Sequence, residues 1–448
     1  MKTNLDEVCT RTKARRGSYF AVHLSRLTLG LLALTAMCAQ AETNFPVANW
    51  VCSKENGPFT TIAVASNGIV YGGVYGSPGY PVMVWNGTSW GHLGPDVWQA
   101  EALAFDTNGS LYVCGVFSSP PIGKWTGSNW FDVGLGISGG VYAMAFDTNG
   151  DLYAGGDFTT TVGGMPANNI AKRNGSTWSA LASGMNSGVY ALAFDRNGNL
   201  YAGGSFTNAG GTSANLIAEW NGTGWLPLGT GMNTTTPYNY NYVFALAFDA
   251  AGNLYAGGNF TTAGGMPAKN IAKWDGTNWS ALDSGLNGIV NALACDGIGN
   301  LYAGGTFTNT GNVSADYIAK WNGTAWSSLN SGLNGFVTTL VFDTNQDLYV
   351  GGTFTTAGTN TNGYVGLTKV LISTSIHNLS LVKPSPGTNV ITALGTPNFA
   401  YALDLATNLT PPVNWVPQAT NTTSSTNLIF TNISAGPQGF YRTRFVSQ

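Results

Sequence analysis

The sequence predicts an all-β fold, a seven-bladed β-propeller, on three observations. A Gly-Gly pair recurs along the chain, with its second glycine at Gly73, Gly156, Gly204, Gly258, Gly305 and Gly352; Cys114–Gly115 holds the place in the second copy. The seven copies lie 42, 41, 48, 54, 47 and 47 residues apart, and an aromatic follows each: Tyr75, Phe117, Phe158, Phe206, Phe260, Phe307 and Phe354. Each unit also carries four short apolar runs separated by turn residues. A period in the forties with four strand-like runs is the signature of a propeller blade.

Taken in order, the runs read as strands a to d. Strand a is Ala-Leu-Ala-Phe-Asp, as at Ala102–Asp106, Ala191–Asp195 and Ala245–Asp249, with Thr339–Asp343 a variant. It is apolar on both faces, as a strand covered by neighbouring blades should be. The a–b turn is Asp-Thr-Asn-Gly or a relative, as at Asp147–Gly150; Asn-Gly between apolar runs is the strongest short hairpin signal. Strand b is Leu-Tyr-Ala-Gly-Gly-x-Phe, whose glycines let another backbone or a large ring come close. Strand c is Ile-Ala-Lys-Trp, followed by another Asn-Gly turn, as at Asn221–Gly222.

Strand d opens on Trp. The c and d tryptophans are five apart at Trp85/Trp90, Trp125/Trp130, Trp220/Trp225, Trp274/Trp279 and Trp321/Trp326, and only Arg173/Trp178 departs. Burying a Trp takes about 150–250 Å² out of water, worth roughly 4–6 kcal/mol at most. These rings are therefore expected in blade cores, not as a row of sugar-stacking platforms.

The ends of the repeat array predict how it closes. The seventh unit has strands a and b (Thr339–Asp343, Leu348–Phe354) and a c strand at Tyr364–Leu371, but no d strand follows. Ala48–Asn49–Trp50–Val51 reads as that missing strand, ahead of strand a at Thr60–Val64. Counting Trp50 gives seven d-strand tryptophans. The N-terminal strand is expected to complete the last blade and remove the exposed edges. The propeller then spans residues 47–372.

Charged residues make up only 9% of the chain, against about 25% in an average soluble domain. A net charge of −3 gives no field to attract nucleic acid or anionic lipid. At the N-terminus, Arg11, Lys13, Arg15, Arg16 and Arg26 precede an apolar run from Leu27 to Met37, and Ala39–Gln40–Ala41 fits a small-x-small cleavage pattern. Residues 1–41 are expected to be a signal peptide, and the mature protein to be secreted or held at the cell surface without a transmembrane segment. Cleavage leaves Cys52, Cys114 and Cys295, an odd number and no disulfide framework. Cys114 replaces a repeat Gly and Cys295 a repeat Phe, so both read as small buried hydrophobes.

In its Gly-Gly and Trp repeats the region from Asn49 to Leu371 resembles kelch and galactose-oxidase-like propellers, more closely the Gly-Gly- and Trp-rich repeat propellers of secreted bacterial proteins. That resemblance implies the fold and says little of function, since propellers host unrelated activities. Beyond Ile372 the pattern stops. Residues 373–448 read as a linker and a small β-sandwich-like module, with short strands at Tyr401–Leu405, Asn414–Val416, Asn427–Phe430 and Phe440–Phe445. Their order is similar to C-terminal modules of secreted bacterial proteins, which implies attachment or sorting.

Strand alternation puts the b–c and d–a connections on one face of the ring and the tight a–b and c–d turns on the other. The long loops thus share a face: Thr159–Asn169, Thr207–Asn215, Thr261–Asn270, Thr308–Asp316 and the insertion Gly231–Tyr242. Loops on a rigid scaffold commonly carry function. The insertion holds the one non-repeated aromatic cluster, Tyr238, Tyr240 and Tyr242, and these are the candidate ligand-binding residues.

No catalytic set is evident. His92 and His377 alone survive signal cleavage, so the copper site implied by a galactose-oxidase resemblance has no ligands here. Sialidase-like chemistry lacks its three arginines: Arg173, Arg196, Arg442 and Arg444 are the only ones left, two of them outside the ring. The recurring Asp106, Asp147, Asp195, Asp249, Asp296 and Asp343 read as caps of the a–b turn. No metal and no cofactor are expected.

The reading is a secreted, monomeric, non-catalytic scaffold that binds a protein or polysaccharide through its long-loop face. The alternative is a carbohydrate-active enzyme with acids in the funnel. Two non-repeated carboxylates at the axis, about 5–10 Å apart, would favour it. A third reading has the ring as a rigid spacer in an adhesion protein.

Overall fold

The computed structural model describes residues 58–446, apart from 76–81, 87–88, 95–99, 116–120, 135–136, 160–165, 234–240, 330–331, 345, 358–365, 371–376, 386–387, 395–399, 407–415, 423–426 and 432–439; beyond residue 367 the backbone alone is described. The described chain divides into two compact units, one ending at Ile372 and the other starting at Ser373. The proposed leader and the segment around Trp50 lie outside the described residues, as do Tyr238 and Tyr240.

Each repeat forms an antiparallel sheet in the order a-b-c-d. Six sheets are four-stranded, and the seventh has strands a, b and c, at Val337–Phe342, Leu348–Gly352 and Leu367–Val370. The a–b turns are held as expected. Asp106 Oδ1 accepts the Asn108 and Ser110 N–H groups at 3.0 and 2.8 Å, and Asp249 does the same for Ala251 and Asn253. At the third turn the Lys172 ammonium lies 3.6 Å from Asp147 and 2.8 Å from Asp151.

The apolar cores lie between sheets, not within them. One joins the fifth sheet to the sixth through Ile271, Leu282, Val290, Phe307 and Trp326. Another joins the seventh to the first, with Tyr349 and Leu367 packed among Phe59, Ile62 and Val70. Thr338 Oγ1 adds a hydrogen bond to the Phe59 carbonyl at 2.5 Å. The sheets therefore form a closed circle around strand a of each.

A lattice of indole bonds stitches sheet to sheet. Trp130 Nε1 donates to the Leu93 carbonyl of the preceding sheet at 3.1 Å. Trp178 donates to Val133, Trp225 to Leu181, Trp279 to Leu228 and Trp326 to Leu282, all at 2.9–3.1 Å. The acceptor is always three residues beyond the preceding d-strand Trp. Each indole also packs on its c-strand partner, with centroids 5.1–5.6 Å apart in the five Trp–Trp pairs. These rings are blade-to-blade cement.

Cys114 is 1% exposed, whereas Cys295, expected to be buried, is only half-buried, as are Phe105, Phe146, Phe194, Phe248 and Phe342 at the same place in other sheets. Burial, and then Asp249 and Asp296, push the Cys295 thiol up to about 12. Burial is also the largest cause raising the phenols of Tyr201, Tyr255 and Tyr302, with Glu219, Asp249 and Asp296 respectively adding to it. Unfolded, such groups titrate near pH 8.5–10. Above that range the unfolded chain sheds protons the folded chain keeps, so stability falls as pH rises. The urea midpoint is expected to drop steeply between about pH 9 and pH 11, and a flat profile there would contradict these burials.

The second unit contains strands His377–Ser385, Thr388–Leu394, Ala400–Ala406, Val416–Thr422, Asn427–Thr431 and Phe440–Val446. They pair antiparallel into two three-stranded sheets. Among the described residues, no helix is long and apolar enough to cross a membrane.

Candidate functional site on the axial ring

In all seven sheets strand a pairs with strand b in continuous register except for one skipped residue. The fifth sheet pairs Val243 with Gly258 and Ala245 with Gly257, leaving Phe244 out. The same β-bulge singles out Thr60, Glu101, Tyr142, Tyr190, Asn291 and Thr338. It explains the second glycine of the pair in the later sheets; in the first sheet Val74 holds that place opposite Phe59, so Gly73 matches the first glycine of the pair and not, as its spacing suggested, the second. A Cβ on Gly258 would fall 1.9 Å from the Tyr242 carbonyl oxygen, and one on Gly156 would fall 2.0 Å from that of Gly140. A bulge re-aims the side chain it carries.

The bulge position is where the repeats disagree. Elsewhere strand a varies only among apolar residues and Thr, but here it is Thr, Glu, Tyr, Tyr, Phe, Asn and Thr in turn. These residues meet laterally, sheet to sheet. Tyr142 and Tyr190 rings lie 5.3 Å apart, and Tyr190 and Phe244 lie 5.6 Å apart. Asn291 Nδ2 donates to the Val337 carbonyl at 2.9 Å, and Thr60 Oγ1 to that of Ala100 at 2.5 Å. Half the ring is thus an aromatic arc. The rest is Glu101 and three short polar side chains, Thr60, Asn291 and Thr338, tied to the neighbouring backbone. All seven are half-buried.

Tyr242, just before the bulge, joins the arc. Its ring stacks on Phe244 at 5.1 Å and 24°, and meets Tyr190 edge-on at 5.6 Å. Of the three tyrosines singled out from sequence, this one is described and lies in an aromatic cluster. Tyr142, Tyr190 and Phe244 were hidden inside a repeat motif. Comparing the column ahead of Ala-Leu-Ala across repeats would have found them.

Two non-repeated carboxylates stand beside Tyr142. Its hydroxyl donates to Asp157 Oδ2 at 2.9 Å, and Asp157 Oδ1 accepts the Gly140 N–H at 2.7 Å. The phenol is pushed up by burial first, then by Asp157, with Tyr190 and Glu101 adding to it. Glu101 is the acid of the ring itself. Both Asp157 oxygens are committed to holding Tyr142 and the d–a connection.

The long loops are more ordered than their composition suggested. Asn208–Ala209 pairs with Thr212–Ser213, Thr262–Ala263 with Met266–Pro267, and Asn309–Thr310 with Val313–Ser314. A recurring Ser/Thr-Gly-Met/Leu-Asn segment clamps them. Asn186 Oδ1 accepts the Thr207 and Asn208 N–H groups, and Asn287 and Asn334 act alike on the next loops. The face around the arc is a stitched rim. Among the described residues, no group of three His, Cys, Asp or Glu could hold a metal.

No protein-family model matches the chain, and no curated protein matches it in sequence. Among solved structures it is similar to the extracellular domain of BT4673 from B. thetaiotaomicron, with a TM-score of 0.50 and 12% identity over 77% of this chain and 45% of that one. It is similar to the WD40 β-propeller domain of Doa1, with a TM-score of 0.50 and 12% identity over 72% of this chain and 95% of that one. The chain thus spans less than half the length of the BT4673 domain. At this identity the likeness establishes the fold: a β-propeller.

Proposed function

We propose that the chain is a secreted, non-catalytic seven-bladed propeller of the kelch/galactose-oxidase-like kind that binds a neutral polysaccharide at the aromatic arc on its long-loop face. The observation that carries this reading is the ring of bulge residues. Strand a keeps to apolar residues and Thr elsewhere but ranges from Thr and Asn to Glu, Phe and Tyr at the bulge, and four rings, Tyr242 among them, cluster there. Aromatic faces stack on the C–H faces of sugars, and Glu101 and Asp157 disfavour an anionic chain. Residues 1–41 serve as the leader, 47–372 form the ring, and 373–448 form a sandwich-like module for attachment. Tyr238 and Tyr240 would extend the arc from the insertion.

The test uses the mature chain with soluble cello-, xylo- and chito-oligosaccharides in calorimetry. Tyr190→Ala, at the centre of the arc, is expected to weaken binding about tenfold or more. Tyr75→Ala, an exposed ring outside the arc, is expected to leave it unchanged. Binding of a protein partner alone, with no oligosaccharide, would overturn the polysaccharide reading.

Ring completion by the N-terminal strand is supported by Trp90. Its Nε1 is buried with no partner among the described residues, while the d-strand tryptophans of the next five sheets all have one. The spacing rule assigns it the carbonyl of Ser53, three residues beyond Trp50. Trp90→Phe is therefore expected to cost about 1–2 kcal/mol, the same as is expected of Trp279→Phe. No cost at Trp90 would count against this closure.

The enzyme reading has one specific observation in its favour, the two non-repeated carboxylates beside Tyr142. It requires hydrolysis of one of these oligosaccharides that Glu101→Gln abolishes.

A further inference from the structure

We propose a second ligand site, on the tight-turn face between the second and third sheets, that takes a flat aromatic carboxylic acid, its carboxylate on Arg173. The site is a cavity of about 320 Å³, lined by Phe131, Val133, Phe146, Leu152 and Tyr112 with Arg173, Lys124 and Asp106 as its charged groups. Its origin is the one break in the Trp pattern. Arg173 is the fourth residue of strand c (Ile170–Asn174) of the third sheet, paired across to Trp178, where the other complete sheets have Trp.

Other sheets show what fills this place. A Cβ on Gly94, four residues past Trp90, would lie 2.4 Å from the Trp125 ring of the next sheet. Gly229, four past Trp225, faces Trp274 and Trp279 of the next sheet in the same way, at 3.7 Å. The corresponding position in the second sheet is Gly134, which faces Ile122 and Pro121 of its own sheet, so the neighbour presented to the third sheet is Val133 of the cavity wall. By analogy the c-strand indole of the third sheet would pack beside Val133, and Arg173 stands there instead, at the edge of the cavity. Its size falls in the range of small-molecule sites.

Among the described residues, Arg173 Nε is buried and has no hydrogen-bond partner. The acids nearby are held by lysines: Asp106 by Lys124 at 3.0 Å, and Asp151 and Asp147 by Lys172 at 2.8 and 3.6 Å. A buried donor without a partner is costly, and a carboxylate accepts from a guanidinium in matched bidentate geometry. Phe131, 58% exposed, offers a ring on which a flat body can stack. A carboxylate on an indole-sized ring satisfies both. This site is independent of the axial arc, which lies on the other face.

The probe is indole-3-acetate, with 3-methylindole as its uncharged counterpart, titrated calorimetrically into the full mature chain. Indole-3-acetate is expected to bind, and 3-methylindole about tenfold more weakly. Arg173→Gln should erase that difference. Arg173→Trp restores the repeat, so it should fold with an equal or higher Tm and lose binding altogether. Absence of binding to the natural chain, or equal binding by Arg173→Trp, overturns the proposal.

Discussion

Gly258→Ala is expected to destabilise the propeller by about 4 kcal/mol or more, in the range reserved for a few named mechanisms. The added Cβ would stand 1.9 Å from the Tyr242 carbonyl oxygen and 2.9 Å from the Val243 Cα. Both obstacles are backbone, so no rotamer change relieves them. Relief requires straightening the bulge, which would turn Phe244 and shift the register of strand a against strand b. That register fixes which face of the strand packs on the sixth sheet. Gly224→Ala is the control, since its Cβ would meet nothing within 4 Å and its φ is not positive. It should lie within about 0.5 kcal/mol of the natural chain. Equal urea midpoints for the two variants would refute the bulge account.

Trp279→Ala should cost about 4–5 kcal/mol, by two mechanisms that add. The ring is 8% exposed and sits in the core between the fourth and fifth sheets, so its removal opens a cavity. Its Nε1 bond to the Leu228 carbonyl, at 2.9 Å, is lost as well, leaving that oxygen short of a partner. Trp279→Phe separates the two, keeping most of the volume and losing only the bond. Thermal denaturation of both variants gives each contribution. A cost for Trp279→Ala below about 2 kcal/mol would mean that the indole lattice does not hold the ring together.

Much of this was legible in the chain. Short runs bounded by Asn-Gly turns define strands locally, and Asp106 or Asp249 caps its own turn through neighbours two and four residues on, which a sequence displays directly. The Trp pairs could be assigned to the core because no other role suits so many copies. The axial arc was less visible. Tyr142, Tyr190 and Phe244 lie 48 and 54 residues apart, and their encounter depends on how consecutive sheets turn about the axis. Tyr242 stood out only because its insertion breaks the repeat. Arg173 was visible as an exception, but a missing indole becomes a cavity only when the neighbouring sheet's Phe131 and Val133 line it.

By itself the sequence determined the repeat, the strands, the turns and the identity of the residues that cement them, because those follow from contacts within some ten residues. What the tertiary structure alone decided was the bulge that aims one side chain per sheet, the meeting of rings from three sheets, and the gap beside Arg173. Each of these depends on the distance and angle between sheets, which packing across the whole circle sets and no local run encodes.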